Sequence, residues 1–165
     1  MRRDQDVINP RTHPDIMLHA HEDEVDPSDA HPYWYARVIG IFHVYVTYVG
    51  PNADATKTIR IESQRMEFVW VRWFGRDLEN LGGFKTRRLH LLGFIGENET
   101  APFGFVDPKE IIRGVHLMPA ASYGRTTEQL GRSPLARRKE DKDADWDRFY
   151  VGMWVLLLFN CLYTL

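Results

Sequence analysis

The chain has 165 residues, 44% apolar and 27% charged, with a formal charge of −2. These values fit one ordinary globular domain and exclude a collagen-like chain, a wholly disordered one and a large multidomain enzyme. The near balance of charge gives no support to a domain that grips nucleic acid by charge alone. Five Trp, seven Tyr and nine Phe make 13% of the chain, more than a core of this size needs, so some rings are expected at a groove or a partner surface. The single cysteine, Cys161, and an N-terminus (MRRDQDVINP) without an apolar signal segment predict a reducing intracellular compartment and no internal disulfide.

In residues 1–31 acids, among them Asp4, Asp15, Glu22, Asp23, Glu24, Asp26 and Asp29, outweigh Arg2, Arg3 and Arg11, and apolar residues are few. That composition predicts an acidic, unstructured arm. From Tyr33 the texture changes. Trp34, Ala36, Val38, Gly40, Phe42, Val44, Val46 and Tyr48 form an apolar row at period two, the mark of a strand with a core face. The alternate row, Tyr33, Tyr35, Arg37, Ile39, Ile41, His43, Tyr45 and Thr47, is mixed, as on a face that meets solvent or a partner. Gly40 is the natural place for a bulge that bends this long strand round a small barrel. A polar hairpin connection, Gly50 to Gln64, leads to a second strand, Met66 to Phe74, apolar on both faces and therefore expected at the centre of the sheet.

After a Gly-rich turn, Leu89 to Ile95 reads as a short third strand. Asp107-Pro108-Lys109-Glu110 is a helix start, with Asp as cap and Pro in the first position, and Gly114 is expected to stop it within two turns. Val115 to Pro119 reads as a strand. Residues 125–145 alternate blocks of charge, which predicts a loop. The apolar end, Val151 to Leu165, spans about 22 Å as a helix, short of the roughly 30 Å of a bilayer core. A final strand or buried helix fits it better than a membrane anchor, and Asn160 adds to that. The expected architecture is mainly β, a small bent sheet or partly open barrel with one short helical turn. Its parts are the arm (1–31), the β domain (32–124), the charged loop (125–145) and the apolar end (146–165).

The order RVIGIFHVYV, then VRWFGRD, then VDPKEIIRGVHLMP resembles the bromo-adjacent homology (BAH) module of chromatin proteins. The matching residues are Arg37, Val38 and Ile41, then Val71, Arg72, Trp73, Phe74 and Arg76, then Pro108, Ile112 and Gly114. The likeness covers residues 33–119. In longer wording (PYWYARVIGIFHV, MEFVWVRWFGRD, FGFVDPKEIIRGVHLMPA, DWDRFYVGM), residues 32–153 are similar to an expanded set of fungal proteins associated with mobile-element-rich genomes, a set that carries no established activity to transfer. Such proteins continue after FYV with a polar segment, where this chain runs LLLFNCLYTL.

The BAH resemblance implies a non-enzymatic interaction module in the nucleus that binds a histone tail or another peptide. Some such modules hold methylated lysine in an aromatic cage by cation–π attraction, about 0.5 to 2 kcal/mol per contact. Trp73 stands where the family supplies a cage wall, and Glu79 where some members place an acid. Tyr45 and Tyr48 are offered as further walls, although one strand turns both to the same face only through a bulge. The bland alternative makes Trp73 core and Glu79 a loop carboxylate. The runner-up function is a nucleic-acid-binding accessory domain of a mobile-element-derived protein, using Lys85, Arg87 and Arg88 beside Phe84, with Arg137, Arg138 and Lys139 as a second basic cluster. Those clusters read equally as solubilising surface or an import signal. His13, His19, His21 and His31 lack metal-ligand spacing and read as a solvated arm. No cofactor motif and no nucleophile-and-base pattern is present in the sequence, and Asp143 and Asp145 read as solvated loop acids.

Overall fold

The computed structural model describes residues 7–20, 31–47, 63–80, 82–83, 86–137 and 141–152. Its strands, in chain order, are β1 (Asp15–His19), β2 (Tyr33–Val46), β3 (Gln64–Arg76), β4 (Leu91–Phe94), β5 (Phe103–Val106), β6 (Ile111–Gly114), β7 (Leu117–Pro119), β8 (Arg125–Thr126), β9 (Asp145–Trp146) and β10 (Phe149–Val151). The main sheet runs β6-β1-β2-β3-β4-β10-β7, with β5 paired to β3, and β8 pairs with β9 apart from it. The sheet is strongly curled into an open half-barrel. Its two end strands, β6 and β7, are consecutive in the chain and linked through Val115 and His116. Val115 donates its N–H to Asp15 on β1, and the His116 carbonyl accepts from Gly152, so the link is stitched to both sides.

Gly40 does mark a bulge. The β2–β3 register steps from Val38 opposite Val71 to Gly40 opposite Trp70, leaving Ile39 as the extra residue. A side chain at Gly40 would place its first carbon 2.5 Å from the Phe42 ring, so that exposed ring would have to swing aside to admit one. The bulge corrects the expected single core face. Alternate positions before it and after it fall on opposite sides: Ala36 and Val38 share a face with Val69 and Val71, whereas Phe42 and Val44 lie with Phe68 and Met66 on the other. One apolar row in the sequence is therefore divided between two faces.

Two cores result. The inner one gathers Met17, Tyr35, Phe74, Leu92, Phe94, Leu117, Phe149 and Val151 from strands all round the curl. The outer one packs Ile16, Leu18, Ala36, Val38, Val69, Val71 and Val106. Both contain residues of β1, which overturns the unstructured reading of the arm for residues 15–19. Ile16, Met17 and Leu18 are buried, and β1 pairs with β2 on one side and β6 on the other. Burying three consecutive apolar side chains on both faces of a sheet outweighs the acidic composition around them.

The Asp107 carboxylate accepts from the Lys109 amide at 2.9 Å, with Pro108 first in the turn, as the sequence predicts. The turn is one 3-10 turn, Pro108–Glu110, and Gly114 ends the strand β6 rather than a helix. A second 3-10 turn spans Ala121–Tyr123. β3 lies inside the sheet, as expected, paired with β2, β4 and β5. Leu89 to Ile95 contracts to β4, and Val115 to Pro119 to β7. The apolar end contributes β10, and the expectation for residues 153–165 lies outside the described residues. Among the described residues no helix is long and apolar enough to cross a membrane.

Candidate interaction surface

Beyond the bulge, β2 and β3 extend past the strands that cover their inner face. Phe42 stacks on Phe68 at 5.5 Å, and Phe68 meets the edge of Phe105 on β5 at 5.4 Å. Trp70 lies 6.1 Å from Phe103 in the same row. Exposure is 45% for Phe42, 71% for Phe105 and 52% for Met66, with Val44 and Val46 also exposed. A fully accessible aromatic side chain presents about 200 Å² and the row therefore offers on the order of 500 Å², at the upper end of what soluble monomers show. Arg65 and Glu67, the charged neighbours, lie in alternation with this row and pair with each other at 2.7 Å. β5 adds an edge: among the described residues it pairs with β3 alone. Unpaired strand edges offer backbone donors and acceptors to an added strand.

Among the described residues, those expected to form a cage do not converge. Trp73 pairs with Ala36 and Tyr45 with Arg65, eight residues apart on β3 or about 26 Å at strand rise. Trp73 is half-buried against the outer core, and a Cβ on Gly104 would come within 2.6 Å of its indole nitrogen, so β5 lies against that ring. Its centroid is 5.9 Å from that of Trp34, at 76°. Such an edge-to-face pair fills with indole the space that a caged cation requires above a ring. Glu79 is exposed in a turn after β3, its amide donating to the Asp77 carboxylate at 3.0 Å, and no hydrogen bond joins it to Trp73 among the described residues. The Asp77 carboxyl is desolvated, yet hydrogen bonds from Asn80, Glu79 and Arg148 hold it below its ordinary range. Tyr45 is 67% exposed and touches His43 edge-on. Tyr48 lies outside the described residues.

Of the basic cluster, Arg87 and Arg88 are exposed in a tight turn closed by the Gly83 amide on the Arg88 carbonyl, at the opposite end of β3 from the aromatic row, and Lys85 lies outside the described residues. Arg137 is not surface. It bonds both oxygens of Asp145 at 3.1 and 2.9 Å and the carbonyls of Leu130 and Gly131 at 2.6 and 2.7 Å. Asp145 also holds Arg72 at 2.8 Å, and Arg72 lies 3.8 Å above the Phe94 ring. The three side chains are 1%, 6% and 2% exposed for Arg72, Asp145 and Arg137. The charged loop thus folds back to supply a counter-ion to the central strand, correcting its reading as solvated. Burial lowers the Arg72 pKa and Asp145 opposes that shift. Arg138 and Lys139 lie outside the described residues.

Of the arm's histidines, His13 and His19 are exposed as expected, His21 lies outside the described residues, and His31 changes role. His31 is buried and packs edge-on against His90 at 4.7 Å, and burial, then His31 and Arg76, push the His90 pKa down. Burial, then Tyr33, push the neighbouring Tyr35 phenol up to about 12. Among the described residues no three His, Cys, Asp or Glu side chains gather as metal ligands. No family model, curated protein or solved structure matches the chain. The row of Phe42, Phe68 and Phe105, whose ends Phe42 and Phe105 are exposed, is not among the sites expected from the sequence. Its signal was Gly40 itself, since a bulge there reverses which alternate row faces the core. The run Phe103-Gly104-Phe105 after Pro102 was the second sign, an edge strand too short to stand out by periodicity.

Proposed function

We infer that the chain is a non-enzymatic interaction module that takes up an extended protein segment along β5. The observation that carries this reading is the aromatic row of Phe42, Phe68 and Phe105, with Phe42 and Phe105 exposed and Phe68 half-buried between them, beside a strand edge that is open among the described residues. An added strand draws affinity from backbone hydrogen bonds to β5 and specificity from alternate side chains packed on the rings. The apolar row from Phe42 and Val44 across Met66 and Phe68 to Phe105 carries no cation, which favours a protein segment over nucleic acid, whose backbone needs basic partners. The BAH resemblance of residues 33–119 supports a chromatin protein tail as the source and the nucleus as the setting. In this reading the groove lies on the inner face, and Trp73, Glu79 and Tyr45 stand outside it.

The test is an array of unmodified and methylated histone-tail peptides, with a labelled DNA duplex at two salt concentrations and light scattering for mass. Peptide binding lost in Phe105→Asp and in Phe42→Asp, with cooperative unfolding retained, is the expected result. Peptide binding unchanged by both substitutions overturns it. Methyl-dependent binding lost only in Trp73→Ala returns the site to the Trp34–Trp73 pair. A dimer that Phe105→Asp dissociates makes a second copy the occupant, and DNA binding that falls on replacing Arg87 and Arg88 restores the accessory-domain reading.

A further inference from the structure

On the concave side of the half-barrel, far round the curl from the aromatic row, a cleft of about 710 Å³ opens where β1 and β6 face β7 and β10. Arg37, Asp15, Arg113 and His116 line it, and Trp146 and Leu117 give it apolar walls. The antiparallel register sets Arg37 directly opposite Arg72, and like charges so placed destabilise a sheet unless each has a counter-charge. Asp15 clamps Arg37 through Nε at 2.7 Å and Nη2 at 3.0 Å. Asp145 is shared between Arg72 and Arg137. Around the cleft Arg37 pairs with Asp15, Arg125 with Asp141, and Arg72 and Arg137 with Asp145.

Arg37 is the poised group. Two of its nitrogens are fixed by Asp15, and its guanidinium is backed by Phe149, Phe94 and Phe74 at 5.1, 5.2 and 5.5 Å. Its Nη1 has no hydrogen-bond acceptor among the described residues, and 25% of the side chain remains open to solvent. A guanidinium already ordered on one carboxylate loses little further rotamer freedom when its remaining donors meet an oxyanion. We propose that this cleft binds a small molecule through a carboxylate or phosphate group, held by Arg37 and Arg113, with an apolar body against Trp146 and Leu117.

The full chain is titrated at low ionic strength with benzoate, with its neutral analogue benzyl alcohol and with inorganic phosphate, binding being read by calorimetry and by amide chemical shifts at residues 113–117. Benzoate is expected to bind at least about tenfold more tightly than benzyl alcohol, the worth of one charge-assisted hydrogen bond. Arg113→Gln leaves the Asp15 clamp and the Asp145 network in place and weakens benzoate by about tenfold, whereas Arg113→Lys keeps most of the affinity. Phosphate binding in place of benzoate, with the same dependence on Arg113, assigns phosphate as the oxyanion. The proposal is overturned by equal binding of benzoate and benzyl alcohol without phosphate binding. Silence of all three probes to about 10 mM, or an affinity indifferent to Arg113→Gln, also overturns it.

Discussion

The inner face of the β2–β3 pair has two halves of opposite fate. Before the bulge it carries Tyr35, Arg37, Arg72 and Phe74, packed among Phe94, Phe149 and Leu117 or paired with buried acids. After the bulge it carries Phe42, Val44, Met66 and Phe68, and three of these four are exposed. The half with most of the charge is the buried one, and the apolar half is open to solvent. Cover decides this, not hydrophobicity: β4 reaches only Phe74 to Arg76 of β3, and β10 stacks beyond β4 on the same side. The outer half is therefore free to spend its apolar surface on a partner.

Substitutions at the two halves separate stability from binding. Asp145→Asn leaves two buried guanidiniums short of their counter-charge, and a loss of about 3–5 kcal/mol in chemical denaturation is expected. Ile16→Ala empties a fully buried position on β1, and about 2–5 kcal/mol should be lost in the same assay. An unchanged midpoint would return residues 15–19 to the unstructured arm. His90 titrates below its ordinary value in the fold, so the unfolded chain binds the proton more readily. Stability is then complete above about pH 6.5 and declines as pH falls below it. Thermal unfolding followed from pH 7.5 to 5 should show that decline, and His90→Asn should flatten it. Phe105→Asp, on the exposed half, is expected to move stability by less than about 1 kcal/mol while removing peptide binding. A large loss of stability there would show that the row is covered in the folded molecule.

Much of the sheet was legible in advance. Tyr33 to Val46 and Gln64 to Arg76 announce themselves by length, β-branched and aromatic content, and the Gly40 interruption, and the Asp107-Pro108 start marks its turn through a local hydrogen bond. What escaped depends on distant pairing. β1 has only Ile16, Met17 and Leu18 to declare it, inside an acidic stretch. Arg137 and Asp145 look like solvated charges until the fold brings them to Arg72, and no window of sequence holds all three. For the candidate site, the aromatic excess was visible, but its location was not. A one-residue bulge turned Phe42 and Val44 away from the side that Ala36 and Val38 occupy, and Trp73, the ring expected as a cage wall, is half-buried support for β5.

The bond from Arg72 to Asp145 spans 73 positions of the chain. During synthesis the central strand leaves the ribosome long before its counter-ion does. A nascent chain, or a fragment ending at residue 124, would have to desolvate the Arg72 guanidinium with no carboxylate in reach. The sheet therefore has reason to wait: closure of the curl is tied to the arrival of residue 145, and the exposed aromatic strands spend that interval within reach of chaperones and of one another.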